Sequence, residues 1–459
     1  MAELIVPAAG FGARLRQGWD VTWPLLVGSL SSLVLAAADT AILGQYGTRA
    51  LTAMAIAAPV VLAATAVITP LGSATQILTA QWLGAGRWDR ITVMLGRTVR
   101  IGIVLGGGAV ALIAVASPWL LSWIGGDLAN SSGARPVLLV LLPTIPFTVV
   151  TAIGRGWLVG LGETRVSMYL AVVVNVANVV LDLLLVFGVG LGAIGSSLGT
   201  SAAAGLGVVV TAVLVRRQRD TMQEVAADHT VGSGVSELRA IAWPDMVFGA
   251  VAYGSDALII AAVSRLDAVS LAAYRTIGAT VAIAFVVAYT SSNSLSVLVG
   301  QRLGAEDRPG ARSWTAPMSL LMAMGVTVVG GGALLVPDAW FSLLSGDPGV
   351  VEAAAGQRWM WLVLLPAMVM SMVLAGIIRA AGDTRSMMWI GVAAQGVFAM
   401  PLAWTLAVQL GWGLTGVVIA VVAGWVLRAT LSLARAVRAP IGPASGGGRL
   451  MRRFPERLS

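Results

Sequence analysis

Residues 162–188 read GETRVSMYLAVVVNVANVVLDLLLVFG, and between Val166 and Gly188 the only charged side chain is Asp182. As a helix rising 1.5 Å per residue, such a run crosses ~30 Å of hydrocarbon. It is continuously apolar and lacks the alternation of a membrane barrel strand. Working outward, comparable runs lie at about 19–45, 50–80, 91–117, 136–160 and 191–215. A further set lies at about 240–263, 268–300, 311–336, 352–379, 386–410 and 413–438. The spacing therefore predicts an all-α integral membrane protein with twelve transmembrane helices.

Composition requires the same solvent. Hydrophobic residues make up 58% and charged residues 11%, against roughly 45–50% and 25% in a soluble domain. That leaves too little polar surface to face water. Cysteine is absent and His229 is the only histidine, which excludes disulfides and a zinc site of the usual ligands. The formal charge of +8 is read by membrane side rather than as a sign of nucleic acid, which is not expected as a partner. With the N-terminus inside, 24 of the 29 arginines fall on the inner side and four (Arg49, Arg135, Arg265, Arg358) outside. This bias predicts a multi-pass protein of the cell (inner or plasma) membrane with both termini cytoplasmic.

The opening stretch also repeats. Gly162-Glu-Thr-Arg165 returns 220 residues later as Gly382-Asp-Thr-Arg385, Trp23-Pro24 as Trp243-Pro244, and Gln81-Trp-Leu-Gly-Ala85 as Gln301-Arg-Leu-Gly-Ala305. With one inserted residue, Gly190-Leu-Gly-Ala-Ile-Gly195 matches Gly411-Trp-Gly-Leu-Thr-Gly416. Six spans per copy give both copies the same orientation, so two pseudo-twofold-related six-helix lobes are expected. The expected divisions are a cytoplasmic N-terminal segment 1–18, an N-terminal lobe 19–215, a cytoplasmic linker 216–239, a C-terminal lobe 240–438 and a basic cytoplasmic tail 439–459.

Few charges lie inside spans. A carboxylate at mid-bilayer costs about 2.5–3.5 kcal/mol on insertion scales, so its default reading is functional. Asp39 stands about 24 Å above Trp23, and Asp182 about 25 Å above Arg165. Asn178 lies one turn below Asp182, Asn175 extends that face, and Thr200 on the next span reaches similar depth. Two carboxylates with amide and hydroxyl oxygens suit Na+. They equally suit protons, because two close carboxylates in a low dielectric do not both stay ionised cheaply. The second copy has Ile259, Phe398 and Leu402 where the first has Asp39, Asn178 and Asp182. There, Asp256 and Arg275 lie at similar depth and are expected to pair, with a substrate or second coupling role as the alternative. Pro24, 15 residues before Asp39, interrupts helix hydrogen bonding and is a candidate hinge.

These residues resemble the multidrug and toxic compound extrusion (MATE) transporters, most closely their DinF-type prokaryotic branch. Asp39-Thr-Ala-Ile-Leu-Gly44 after Trp23-Pro24, and Asn175-x-x-Asn178-x-x-x-Asp182, look like motifs of that family. The resemblance implies a cation-coupled antiporter without a resident cofactor, in which H+ or Na+ enters while amphipathic, often cationic organic compounds leave by alternating access. Its coupling set would be Asp39, Asn178, Asp182 and Thr200, which could ligate Na+. A monomer in the lipid bilayer is expected. The alternative is a lipid-linked precursor flippase of the same superfamily, which would favour a basic cavity and more spans. An enzyme is not expected, because no catalytic cluster fits, and measurable uphill efflux would exclude a passive channel or scaffold.

Overall fold

The computed structural model describes residues 5–223 and 234–438. The tail 439–459, residues 1–4 and the middle of the linker, with His229, lie outside the described residues. Among the described residues, twelve helices are long and apolar enough to span a membrane. The first six are α1 Phe11–Tyr46, α2 Thr48–Gly84, α3 Trp88–Gly126, α4 Ala134–Gly160, α5 Thr164–Gly188 and α6 Gly192–Arg217. The second six are α7 Val235–Val263, α8 Ala268–Gly304, α9 Arg308–Leu335, α10 Met360–Ala380, α11 Thr384–Gln409 and α12 Gly413–Arg438.

The helices form two compact units. Among the described residues, unit 1 runs from Trp23 to Met246, and unit 2 takes Ile5–Thr22 with the chain from Val247 to Arg438. Both α1 and α7 therefore change unit along their length, and each does so beside its Trp-Pro pair, at Trp23-Pro24 and just after Trp243-Pro244. A proline removes one helix hydrogen bond and clashes with the preceding turn, so each helix is weakest beside the point where it changes unit.

Inside unit 1, α2 and α4 cross at bare backbone. A Cβ on Gly156 would fall on the Gly72 carbonyl oxygen, and one on Gly160 would stand 2.7 Å from the Gln76 carbonyl oxygen. Without a hydrophobic drive between helices in lipid, small residues that allow this close approach supply the attraction. Unit 2 repeats the crossing between α8 and α10. There Gly376 stands against Ser292, whose hydroxyl donates to the Met372 carbonyl at 2.7 Å. Loop geometry repeats as well: Gly162 and Gly382 have φ of 90° and 79°, and Gly86 is matched by Glu306 at φ 59°, the only described non-glycine residue with positive φ.

The duplicated Gln-x-Leu-Gly-Ala blocks hold the chain that precedes the crossing helices. In unit 2, the Ile5 N–H donates to Gln301 Oε1 at 3.2 Å, and Arg302 Nε donates to the Ile5 carbonyl at 3.2 Å. In unit 1, Gly234 lies against the Trp82 ring, and Glu237 faces Arg90 at 3.9 Å.

Candidate functional site

The buried acids gather in unit 1, where α1, α5 and α6 meet. Asp182 is 0% exposed and Asn178 4% exposed, one turn apart on α5, while Asp39 on α1 is half-buried. The Asp39 and Asp182 carboxyls lie against each other within hydrogen-bonding reach. On the other side of Asp182, the Ser196 hydroxyl of α6 donates to Oδ2 at 2.8 Å. A Cβ on Gly199 would fall on Asp182 Oδ1, so the glycine one turn after Ser196 leaves the space that this oxygen occupies.

Neighbouring contacts fix the frame. Asn175 Nδ2 donates to Ser31 Oγ at 2.8 Å and to Ser32 Oγ at 3.2 Å, joining α5 to α1. The Tyr46 hydroxyl donates to the Gly190 carbonyl at 2.8 Å, tying the end of α1 to the α5–α6 turn two helical turns beyond Asp39. The opposite side of α6 is held by Ser201, which donates to the Val140 carbonyl at 2.8 Å and meets Thr144 at 3.0 Å. Just after Asp182, α5 widens into a π-helical turn at Leu184–Gly188, a geometry frequent at functional sites.

Thr200, half-buried on α6, follows Ser196 by one turn, and the hydroxyl that meets Asp182 is that of Ser196. Sequence reasoning passed over Ser196 and Gly199 because small residues in an apolar span look like packing residues. Three buried oxygens in this unit, Asp39 Oδ1, Asn178 Oδ1 and Asp182 Oδ1, accept no hydrogen bond. Such acceptors are costly unless something positive or protonated meets them. Among the described residues no three His, Cys, Asp or Glu side chains form a metal cluster. A cation here would therefore use two carboxyls and neutral oxygens, which suits a hard monovalent ion or a proton.

Unit 2 builds the same place without charge. Ile259, Val417 and Ala420, which stand where unit 1 has Asp39, Ser196 and Gly199, are core residues of an apolar cluster, and Leu402, in the place of Asp182, packs against it. What persists is the tie between helices: Gln395, the counterpart of Asn175, donates to the Ala252 carbonyl at 3.5 Å and to Asp256 Oδ1 at 3.0 Å. Asp256 thus meets an amide on a π-helical stretch of α11, Val392–Ala399. It forms no ion pair with Arg275, and Tyr274 lies near both charged groups.

Twelve spans, a duplicated chain and one unit that carries buried, incompletely satisfied acids define a secondary transporter of repeat-built architecture. The chain belongs to the MatE family, the MATE transporters, whose pattern matches residues 24–184 and 246–405. It is 28% identical to the probable multidrug resistance protein NorM of Caulobacter vibrioides, over 90% of this chain and 89% of that one. It is 24% identical to the FAD transporter of Shewanella oneidensis, over 72% of this chain and 75% of that one. The fold matches the eukaryotic MATE transporter AtDTX14 with TM-score 0.85 at 17% identity, over 96% and 99% of the two chains. It matches the Vibrio cholerae MATE transporter VcmN in its bent form with TM-score 0.81 at 19% identity, over 93% and 98%. The protein is thus a multi-pass membrane transporter of a family of cation-coupled antiporters of small organic compounds, not of enzymes.

Proposed function

We propose that this chain exports amphipathic, often cationic organic compounds by alternating access, driven by inward H+ or Na+ that is bound in unit 1. The observation that carries the reading is the contact between the Asp39 and Asp182 carboxyls, with one oxygen of each left without a donor. A carboxyl–carboxyl hydrogen bond needs a proton between the two groups, and a Na+ ion could take the place of that proton. Either removes one of the pair's two negative charges and draws α1 toward α5. When the pair is empty and ionised, its two charges repel and the α1–α5 contact weakens.

Asp39, Asn178, Asp182 and Thr200 form the proposed coupling set, with Ser196 added as the donor that orients Asp182. The ion acts only through unequal affinity for two states of the protein. Pro24 is the proposed hinge, because α1 passes from one unit to the other beside it. Asn175, Asp256 and Arg275 remain secondary candidates. The acid pair in the first unit supports a place in the DinF-type branch. The arginine bias supports cytoplasmic termini, and the chain is proposed to act as a monomer. The multidrug names among its relatives do not favour the flippase alternative.

Cells that express the wild type should expel a fluorescent organic cation, and Asp39→Asn and Asp182→Asn should each abolish that efflux. Full efflux by both variants at equal expression would sink the assignment.

A further inference from the structure

Besides its acids, unit 1 holds a cation inside a span. Arg155 stands on α4 shortly before the helix ends at Gly160, about 8 Å inside the face that the arginine bias assigns to the cytoplasm. Its half-buried head is aimed into the seam between α1 and α5. Nη2 is 3.8 Å from where a Cβ on Gly28 would lie, and Nε donates to the buried Ser167 Oγ at 3.4 Å. Among the described residues no carboxylate pairs with Arg155. A guanidinium inside a span without a counter-charge is costly, and its default reading is functional.

The same seam carries polar groups from this cation up to the acid pair. Ser31 and Ser32 of α1 donate to the Gly28 carbonyl at 2.9 and 3.3 Å. Asn175 of α5, about 12 Å above Ser167, donates to both serines. Asn178 continues the line with an unpartnered Oδ1, and Asp182 stands about 22 Å above Ser167. Unit 2 repeats the helices without this ladder. Ala375, Phe248, Met387, Val251 and Ala252 stand in the places of Arg155, Gly28, Ser167, Ser31 and Ser32. The Phe248 ring fills the lower seam there, so close to Gly391 that a Cβ on that glycine would collide with it. The seam below Gln395 is therefore apolar in the unit without the acid pair. In the unit that has the pair, it is polar and ends on a positive charge.

A polar ladder beneath an ion site is a hazard for an exchanger. An ion that slips inward along it without export of substrate dissipates the gradient. We propose that Arg155 is a fixed-charge barrier that stops H+ or Na+ from slipping between the acid pair and the cytoplasmic face. A positive group at the inner end of the ladder repels either ion, as an arginine does in pores that exclude protons and cations. Arg155 acts by its charge and makes no contact with the acids. The inference rests on the coupling reading for the acids as the ion's site.

The test is ion leak, without substrate, into sealed proteoliposomes that hold the full chain. Potassium and valinomycin set a membrane potential that is negative inside, and a lumenal pH dye or sodium dye reads H+ or Na+ entry. The wild type should leak little more than protein-free vesicles. Arg155→Gln should raise entry of at least one of the two ions about tenfold or more, while trapped calcein stays inside. Arg155→Lys keeps the charge and should stay within about threefold of the wild type. Asp39→Asn/Arg155→Gln should return to the wild-type level, because the path runs past the acid pair. Wild-type leak in folded Arg155→Gln, an equal rise in Arg155→Lys, a rise that also releases calcein, or a leak that persists in the double variant would overturn the proposal. The coupling reading fails on a different result, gradient-driven export by Asp39→Asn, so the two failures are distinct.

Discussion

Ser196 and Ser197 are neighbours on α6, 1% and 0% exposed, and they differ in one respect. Ser196 donates to Asp182 Oδ2 at 2.8 Å, whereas Ser197 donates back to the Ala193 carbonyl of its own helix at 3.0 Å. Ser196→Ala leaves that buried carboxyl oxygen without its hydroxyl donor. A hydrogen bond to a charged acceptor contributes about 1.5–3 kcal/mol, and one to a neutral acceptor about 1 kcal/mol. Ser197→Ala removes a back-bond to a carbonyl already engaged in the helix and should cost under about 0.5–1 kcal/mol. For a unit of roughly 200 residues, each kcal/mol moves Tm by about 2–4 °C. Against a charged Asp182, Ser196→Ala should therefore lower Tm by about 3–12 °C, and Ser197→Ala by less, at most about 4 °C. Thermal unfolding of the purified protein followed by tryptophan fluorescence, with the two variants side by side, provides the measurement. In an Asp182→Ala background the Ser196→Ala effect should shrink to that of the control. Equal losses for the two serines, or a Ser196→Ala loss that persists without Asp182, would refute the account of how Asp182 is held.

Other expectations follow from the same geometry. Gly199→Ala puts a Cβ on Asp182 Oδ1 and should cost about 1–3 kcal/mol as overpacking, together with efflux activity. The reverse change at the matching place in unit 2, Ala420→Gly, should cost only about 1 kcal/mol of helix propensity in the same unfolding assay and spare efflux. Glu306→Gly relieves a left-handed backbone at φ 59° and should raise stability by about 1 kcal/mol, seen as a small rise in Tm. Asp267 caps α8 from outside the span. Its hydrogen bonds from the hydroxyl and N–H of Ser270 hold its carboxyl below the usual carboxylate range. A lowered folded pKa means that its contribution is full above the ordinary carboxylate pKa and disappears as pH falls through the folded value. Asp267→Asn should therefore lower Tm slightly at neutral pH, where the carboxylate contributes in full, and flatten the acid limb of a Tm-against-pH curve.

The spans and the repeat were readable because each rests on long-range pattern: apolar runs of membrane length and matched blocks in one order. The repeat even foreshadowed local backbone, since Gly162 and Gly382 share the left-handed turn. Depth arithmetic on Asp39 and Asp182 could place both acids at one level, but it could not decide which small hydroxyl meets them. Ser196 and Thr200 lie one turn apart on one face, and the choice depends on how α6 leans on α5, which Gly199 and Gly195 set through close backbone approach. Asp256 likewise had two neighbours at suitable depth, Arg275 and Gln395. The amide is the one in contact, because α11 widens into a π-helical stretch at Gln395 that no propensity pattern reveals.

The central claim is that the acids of unit 1 couple ion entry to export. The most direct measurement is substrate movement in proteoliposomes with a proton gradient and a sodium gradient imposed separately, for the wild type, Asp39→Asn and Asp182→Asn. The account predicts that at least one gradient drives uphill movement by the wild type and that neither drives it in either variant. Gradient-driven transport that persists in both variants would contradict it.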